Sequence, residues 1–436
     1  NNMWAQAMCS QTRATILTGR YGFRTGEGGP TGDGDTQGYI PQSLPAPDGV
    51  IELGGMAGGM AGGMGMGGGM GDGAAGGMRA FPALAAGGAR WGISLDEFTL
   101  TQALATQPDI HYDKAAIGKW HLADVRNGWQ DHPNLVGFDH FSGLIRCCVE
   151  SYFSWVKLVN GEFSTQTGYA VSDKVDDAIE WYDDREGNEN PWLLWLAFNT
   201  PHNPIHMPPR ELLQSDFSDI GPDDLERDQP LFFDAMIEAM DTEIGRLLDH
   251  IGPDVLANTY VLFIGDNGTG SNVVDEPFEQ GRAKGSVYTG GIAVPFIVTG
   301  PGVPEGQASN ALVNSTDLFA TILDRAGIGL EDAVPEHVVL DSVSMMPYFA
   351  DPGRDSIRET IYADNFTTTL GVKSGEYTIR NAQYKFLVYR GVESFFDLSA
   401  DPYEHHNLLE GGLTAVQQAQ YDQLKKRVNA LHASEL

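Results

Sequence analysis

The chain has 436 residues, 42% of them hydrophobic, and 27 Lys and Arg against 59 Asp and Glu give a formal net charge of −32. That length and composition suffice for one large α/β domain with a sizeable core plus a smaller one, and they exclude a disordered protein. A field of this sign repels polyanions, which excludes a nucleic-acid or acidic-membrane surface; an anionic substrate has to be held by a local positive pocket in a chain whose acidity is itself a mark of solubility or of a saline environment.

The first element is carried by "CSQTRATILTGRYGFRTG". Thr12 to Thr18 predicts a short helix with Ile16 and Leu17 toward a core, capped by Ser10 or Thr12 and stopped by Gly19. Cys9 then lies just before a helix N-terminus, where free N–H groups, the macrodipole and Arg13 one turn in favour an anion. The position suits a nucleophile that attacks an anionic group, and equally a small buried cysteine beside solvated arginines. Gly54 to Met78, "GGMAGGMAGGMGMGGGMGDGAAGGM", is low-complexity sequence within an insertion at about 49–90, with too few branched or aromatic side chains to offset the ordering entropy of its glycines.

Beyond the insertion the pattern becomes regular. Leu95 to Thr106 predicts a helix, "KAAIGKWHL" a strand and turn, and Val171 to Asp184 a helix. There follow a strand in "PWLLWLAFNTPHNP", a helix in "FDAMIEAMDTEIGRLLDHI", strands in "TYVLFIGDNGTG" and "VPFIVTGPG", and a helix in "STDLFATILDRAG". Apolar strand runs alternating with amphipathic helices predict an α/β fold with a mostly parallel sheet sandwiched by helices. From about Asp355 "YTIRNAQYKFLVYR" and "ESFFDLS" predict short antiparallel strands, with a terminal helix around Gln417 to Ala433. The expected division is therefore a catalytic domain over 1–354 and a small antiparallel sheet plus helix over 355–436.

The three cysteines, Cys9 and the adjacent Cys147 and Cys148, do not make a disulfide framework, so no redox compartment follows from them. No run reaches the length of a membrane span and no secretory signal is present, but the chain starts at Asn1 and reads as cut, so that absence decides nothing.

In open α/β sheets ligands bind at the carboxyl ends of the strands. The first candidate strand ends in Lys119 and His121, which alternation would place on one side as an anion-holding cation and a proton-exchanging imidazole; a rim lysine and a satisfied histidine beside Trp120 is the plainer reading. The second runs into a proline-stiffened loop bearing His202 and His206. His202, nearer the strand, is the chosen acid, with His206 in reserve. The third, "VLFIGDNG", delivers Asp266 and Asn267 side by side as two oxygen ligands for a hard cation such as Ca²⁺ or Mg²⁺, although Asn-Gly is also a hairpin signal. Lys284 in "GRAKGSVYTGG" would contact an anion as a point charge if it converges on the same face. Asp317 reads as a helix N-terminal carboxylate, and the stretches from Asp124 to His140 and around Trp155 offer aromatic groups to a sugar or aryl pocket.

Taken together, "CSQTRATILTGR", "GKWHL", "TPHNP", "DNG" and the lysine of "GRAKGSVYTGG" occur in the order and rough spacing of the type I sulfatases of the alkaline phosphatase superfamily, and "FFDLSADPYEHHNLL" resembles that family's closing segment. The resemblance covers nearly the whole chain apart from the Gly/Met insertion. It implies a sulfuric ester hydrolase in which Cys9 is converted by a formylglycine-generating enzyme to formylglycine, whose hydrate is bound to Ca²⁺ together with Asp266 and Asn267. One hydroxyl at residue 9 would attack the sulfur of a sulfate ester. His202 would protonate the leaving alcohol with help from Lys284, His121 would deprotonate the second hydroxyl, and Arg13 and Lys119 would hold the diol. The resemblance also favours a periplasmic or extracellular location and, by analogy, a carbohydrate sulfate substrate.

Two departures are present. The third position of the usual C-x-P-x-R signature is Gln11, and nothing before Cys9 matches the family's opening strand with its metal-binding aspartate pair, so the 436 residues alone are expected to bind Ca²⁺ weakly and turn over poorly. Competing readings are a phosphodiesterase or phosphonate monoester hydrolase on the same scaffold, and a catalytically silent relative that binds sulfated glycans.

Overall fold

The computed structural model describes residues 2–29, 92–366 and 375–434; the Gly/Met insertion expected at about 49–90 lies outside the described residues. Thirteen strands are described among these residues, in four sheets. In chain order they are β1 (Met3–Trp4), β2 (Asp113–Lys119), β3 (His140–Leu144), β4 (Trp155–Val159), β5 (Glu162–Gln166), β6 (Trp192–Ala197), β7 (Val261–Ile264), β8 (Phe296–Thr299), β9 (Val313–Asn314), β10 (Ile361–Asn365), β11 (Glu376–Arg380), β12 (Tyr384–Tyr389) and β13 (Val392–Asp397). The principal helices are α1 (Cys9–Thr18), α2 (Ala170–Asp183), α3 (Gln229–Ile251), α4 (Asp317–Arg325) and α5 (Ala415–Ala433).

The largest sheet runs in the order β5-β4-β3-β2-β6. β2 pairs in parallel with both β3 and β6, while β4 and β5 form an antiparallel margin. The parallel character expected from the apolar runs is thus concentrated at β2, whose residues from Lys114 onward are buried. "WLLWLA" of β6 is only half-buried, and its hydrogen-bonded neighbour among the described residues is β2 alone. β7 pairs antiparallel with β8, again as an isolated pair.

Apolar side chains cover both faces. On one, Trp120, Phe138 and Phe141 join α1 and α4 through Ala14, Leu17, Phe319 and Leu323. On the other, Ala115 and Ile117 of β2 meet Val175 and Ala178 of α2 and Leu247 and Ile251 of α3. The helix expected over Leu95–Thr106 shortens to Leu100–Leu104, because Thr99 caps it in a reciprocal capping box with Gln102.

The short antiparallel strands expected after Asp355 are present. β10-β11-β12-β13 form an antiparallel meander, and α5 lies on it with Leu424 and Val428 packed among Tyr362, Phe386 and Phe395. The seam to the larger domain is polar at its centre. Lys385 and Glu404, both essentially without exposure, form an ion pair at 2.5 Å, and Glu404 also accepts the Thr289 N–H at 2.7 Å. Arg282 donates to the Glu404 carbonyl. Leu387 and Phe396 pack on Val287 and Tyr288 beside this pair. Removing one partner of such a pair leaves an uncompensated buried charge, at a cost of about 3–5 kcal/mol. Glu404→Ala is expected to destabilise on that scale in urea unfolding, whereas a change below about 1 kcal/mol would show that the pair is dispensable.

Two buried histidines impose a pH dependence. His132 accepts the Trp120 indole N–H at 3.0 Å and bonds the Ile93 carbonyl at 3.0 Å; His206 sits stacked on Tyr152 and bonds Tyr169 at 3.1 Å. Burial lowers each to about 4 from an ordinary 6.5. The folded state therefore binds fewer protons than the unfolded state between those values, and stability falls as pH drops through that window. At pH 5 each contributes a loss of about 2 kcal/mol relative to pH 7. His132→Gln, which keeps an acceptor for Trp120, is expected to flatten the slope of unfolding free energy between pH 7 and 5; an unchanged slope contradicts the assignment.

Candidate active site

Residue 9 is where the elements converge. α1 begins at Cys9 itself rather than at Thr12, and all ten of its residues are buried. Neither Ser10 nor Thr12 caps it. Met8 occupies the cap position without a side-chain bond, and the Thr12 hydroxyl instead accepts the Gln6 N–H at 2.9 Å. Gly19 closes the helix as expected, in the left-handed region at φ 68°, donating to the Thr15 carbonyl. Cys9 is thus the first residue of a helix held inside the core, with Sγ 3.2 Å from His121 Nδ1.

His121 does not reach this place by strand alternation. β2 ends at Lys119, and past it Trp120 and His121 donate to the carbonyls of Leu144, the last residue of β3, and Ile145, the residue after it. His121 adopts φ 57°, an uncommon conformation for a residue with a β-carbon and one that the surrounding hydrogen bonds impose. Trp120 is buried at 2% exposure and packs edge-on against Phe138 and Phe141. With His132 fixing its indole, it anchors the two site residues on either side. His132 was not singled out from sequence; its role lies in a fold contact twelve residues away.

Arg13 links three segments. Its guanidinium donates to the Lys119 carbonyl and bonds Asp266 at 3.2 Å, and Lys119 Nζ lies 4.0 Å from the same carboxylate. Burial alone would raise the Asp266 carboxyl, but Lys119, Arg13 and Lys284 outweigh it and hold it below the usual carboxylate range. The Cys9 thiol follows the same logic: burial pushes it up, and Lys119, His121 and Lys284 bring it well below its ordinary value. Burial lowers the Lys119 ammonium, with Cys9 and Asp266 opposing. Positive groups thus gather around one thiol and one carboxylate, a local reversal of sign in a chain of net charge −32.

The loop after β6 brings His202 to the same field. Its imidazole lies well below the ordinary histidine value because of burial, reinforced by Lys284 and Lys119. Nδ1 faces the Asn203 carbonyl at 3.0 Å, which makes it the donor and leaves the Nε2 lone pair free in the neutral ring. Nε2 lies 4.0 Å from Cys148 Sγ. His206, the reserve, is fully buried in an aromatic box of Tyr152, Phe153 and Tyr169, and Pro204 accepts from its other nitrogen at 2.9 Å. It is a packing histidine.

Asn267-Gly268 is not a two-residue hairpin, since residues 265–295 intervene between β7 and β8. Gly268 donates to Gly291 at 2.8 Å, and a β-carbon there would lie 2.0 Å from the Gly290 carbonyl. The close approach of two loops sets Asp266 and Asn267. Asn267 donates to Gly268, while its Oδ1 is buried without a hydrogen-bond partner. Lys284 is held from its backbone, Lys284 N–H to Thr269 and Gly285 N–H to Ala7, and Asn365 of β10 donates to Gly285 at 2.9 Å. Asp317 is buried and accepts the Asn314 and Val343 N–H groups while pairing with Arg358, a structural carboxylate as expected. Trp155 does not line a pocket; it has no exposure and lies under the Lys174 ammonium at 4.1 Å, and Trp129 is buried too.

A sulfatase family model matches residues 77–328, and a model described as the C-terminal region of N-sulphoglucosamine sulphohydrolase matches 282–434. The chain belongs to the sulfatase family. Among curated relatives of this sulfatase chain, an uncharacterized sulfatase, YdeN, of Escherichia coli is 28% identical over 55% of the chain and 45% of its own length. An ulvan-active sulfatase of Formosa agariphila is 26% identical over 68% and 60%, and the dog N-acetylgalactosamine-6-sulfatase is 26% identical over 66% and 54%. The chain therefore spans about half the length of the curated relatives it matches. A solved structure of Ps i-CgsB with k-i-k-neocarrahexaose matches 98% of the chain and 83% of its own at a TM-score of 0.69 and 21% identity. A second, bound to its substrate D-glucosamine-2-N,6-O-disulfate, matches 100% and 90% at 0.66 and 18%, which establishes a common fold.

Gly268→Ala tests the loop contact. Because the atom met is backbone, the loops must part, and the unfolding free energy in urea is expected to fall by about 1–3 kcal/mol. An unchanged stability in that variant would show that the loop tolerates the shift.

Proposed function

We propose that this sulfatase-family chain hydrolyses sulfate monoesters, with sulfated carbohydrates as the substrate class. The observation that carries the reading is the convergence of Lys119, His121 and Lys284 on the buried thiol of Cys9, with Arg13 and Asp266 locked behind them. The named substrates of relatives, ulvan and N-acetylgalactosamine 6-sulfate among them by the wording of their names, support the sugar assignment. Phosphate diesters remain the test's other outcome, since the same donors serve both tetrahedral anions.

Converted to formylglycine, residue 9 would supply a hydrated aldehyde as nucleophile, and Ca²⁺ would neutralise sulfate oxygens, held by Asp266 and Asn267 together with residue 9. The chain's own groups supply part of such a site, fewer oxygens than Ca²⁺ takes: Asp266 stays ionised, and the orphaned Asn267 Oδ1 is an oxygen in want of a partner. Arg13 fixes the Asp266 carboxylate and the end of β2, and Lys119 presents charge to residue 9. His121, at hydrogen-bond distance from the residue 9 side chain, stands where a base takes its proton. His202 is neutral at rest. An anion bound among Lys284 and Lys119 offsets their share of that depression and so favours a proton on Nε2, from which the leaving alcohol would take it.

Three experiments test this. Peptide mass spectrometry across Cys9 in protein from its native host is expected to show the aldehyde in place of the thiol, even though Gln11 occupies the third signature position, buried and donating to the Asp364 carbonyl at 3.1 Å. Only thiol there, with no turnover of 4-nitrophenyl sulfate, supports a silent glycan-binding relative instead. Where turnover is present, kcat/KM on the sulfate is expected to exceed that on 4-nitrophenyl phosphate esters. His202→Gln is expected to cost about 10²–10⁴ in kcat/KM on alkyl sulfates and less on 4-nitrophenyl sulfate, whose leaving group needs no proton. Equal losses on both would remove His202 from the acid role.

A further inference from the structure

The sulfurs of Cys147 and Cys148 are joined in a disulfide between neighbouring residues, at the wall of the site beside His202. Such a ring closes no loop, so it adds no chain-entropy stabilisation of the kind that long-range bridges provide. It does bring two sulfurs and a nitrogen together. The two Sγ atoms and an imidazole nitrogen of His202 all lie within 4.8 Å of one another, the one such cluster of three or more His, Cys, Asp or Glu among the described residues.

We propose that Cys147, Cys148 and His202, once the two sulfurs are reduced, bind a thiophilic divalent cation of the Zn²⁺ class, which withdraws His202 from the hydrolytic site. The withdrawal rests on the reading of His202 as the leaving-group acid; the binding does not.

Three features of the pocket support a metal over a mere contact. The His202 ring is already set as a ligand: Nδ1–H donates to the Asn203 carbonyl at 3.0 Å, leaving Nε2 as the lone-pair atom that faces Cys148. Metal-binding histidines are oriented by this kind of bond from the other nitrogen. The backbone around the ligands is also fixed, with the Tyr152 hydroxyl on the His202 carbonyl at 2.9 Å and Asn199 on the Cys147 carbonyl at 3.5 Å. Finally, the sulfur-to-nitrogen spacing fits. Tetrahedral Zn²⁺ with bonds of about 2.3 Å to sulfur and 2.0 Å to nitrogen sets such a pair about 3.5 Å apart, close to the 4.0 Å between Cys148 Sγ and His202 Nε2, while the two sulfurs, bonded to each other here, must part to about 3.8 Å on reduction. The fourth position is left to water. Soft sulfur ligands also separate this pocket chemically from the oxygen pair Asp266 and Asn267, which suits a hard ion.

The chemistry balances with an external reductant. A phosphine supplies two electrons and takes the oxygen of one water as phosphine oxide, the S–S bond breaks, and two S–H bonds form with that water's two protons; a dithiol does the same with its own two hydrogens and ends as a disulfide. The cation then displaces those two protons as it binds both thiolates and Nε2. Oxidation by a disulfide or peroxide reverses the sequence and releases the ion, so occupancy follows the redox state around the protein.

The test uses the full chain carrying Cys9→Ala, which removes the other thiol, after phosphine reduction and anaerobic removal of the phosphine. Titration with Co²⁺ is expected to give thiolate-to-metal charge-transfer absorption that saturates at one ion per chain and is displaced by Zn²⁺. The disulfide form and the Cys147→Ser, Cys148→Ser double variant are expected to show none, and His202→Gln at least a tenfold weaker affinity. Reduced protein that gives no more absorption than the double variant overturns the site. Because binding is read from the spectrum, its failure is distinct from a failure of sulfatase activity. In protein with Cys9 intact and turning over, Zn²⁺ is expected to inhibit the reduced form at least tenfold more strongly than the double variant. Equal inhibition would overturn the withdrawal of His202.

Discussion

The arrangement depends on keeping several positive groups close together around one thiol inside an acidic protein. Arg13, Lys119 and Lys284 repel each other, and burial works against each charge. What holds them is a single carboxylate, Asp266, placed against Arg13 and Lys119, together with the anionic character that their field imposes on Cys9. Remove the anionic partner and only the backbone contacts oppose the repulsion among the cations. A tetrahedral anion meets groups whose repulsion it relieves, so electrostatic binding here needs no large reorganisation of side chains.

Each cation is therefore fixed by backbone rather than by chance. β2 and β6 run in parallel, so Lys119 and the loop to His202 leave the sheet at the same end. The helix start at Cys9 is locked by Gln6 and Thr12, and the loop of Lys284 is gripped by Ala7 and Thr269 on one side and Asn365 on the other. β10 and the segment after β13 pack against the elements that carry Cys9 and Lys284. Asp364 accepts Gln11 through its carbonyl, its N–H donates to Gln6, and Glu404 anchors Arg282 and Thr289 on either side of the lysine loop. The conformation of His121 at φ 57° belongs to the same economy, since a relaxed backbone there would carry the imidazole away from Cys9.

Much of this was legible in sequence because the signals were local. Apolar runs marked β2, β6 and β7, the 3.6-residue period marked α2, α3 and α4, and Gly19 marked the end of α1. The change of texture near Asp355 marked the antiparallel sheet because its strands alternate and pair with sequence neighbours. The start of α1 was misplaced because its cap lacks a side-chain bond, and a fully buried helix shows no amphipathic period to read. The choice between His202 and His206 was made on distance from the strand, and the structure separates them by surroundings, one among cations and the other in an aromatic box. His132 and the Cys147–Cys148–His202 cluster were invisible for a common reason: each is a meeting of residues whose separation in sequence carries no pattern. Trp155 shows the opposite error, an aromatic residue credited to a pocket and found in the core beneath a buried lysine.

The measurement that bears most directly on the convergence is a crystal structure of the protein soaked with sulfate. The account predicts a tetrahedral anion within hydrogen-bond distance of residue 9, Lys119, Lys284 and His202, with Asp266 still against Arg13. An anion bound elsewhere, or Lys284 and His202 turned away from residue 9 in that crystal, would contradict it.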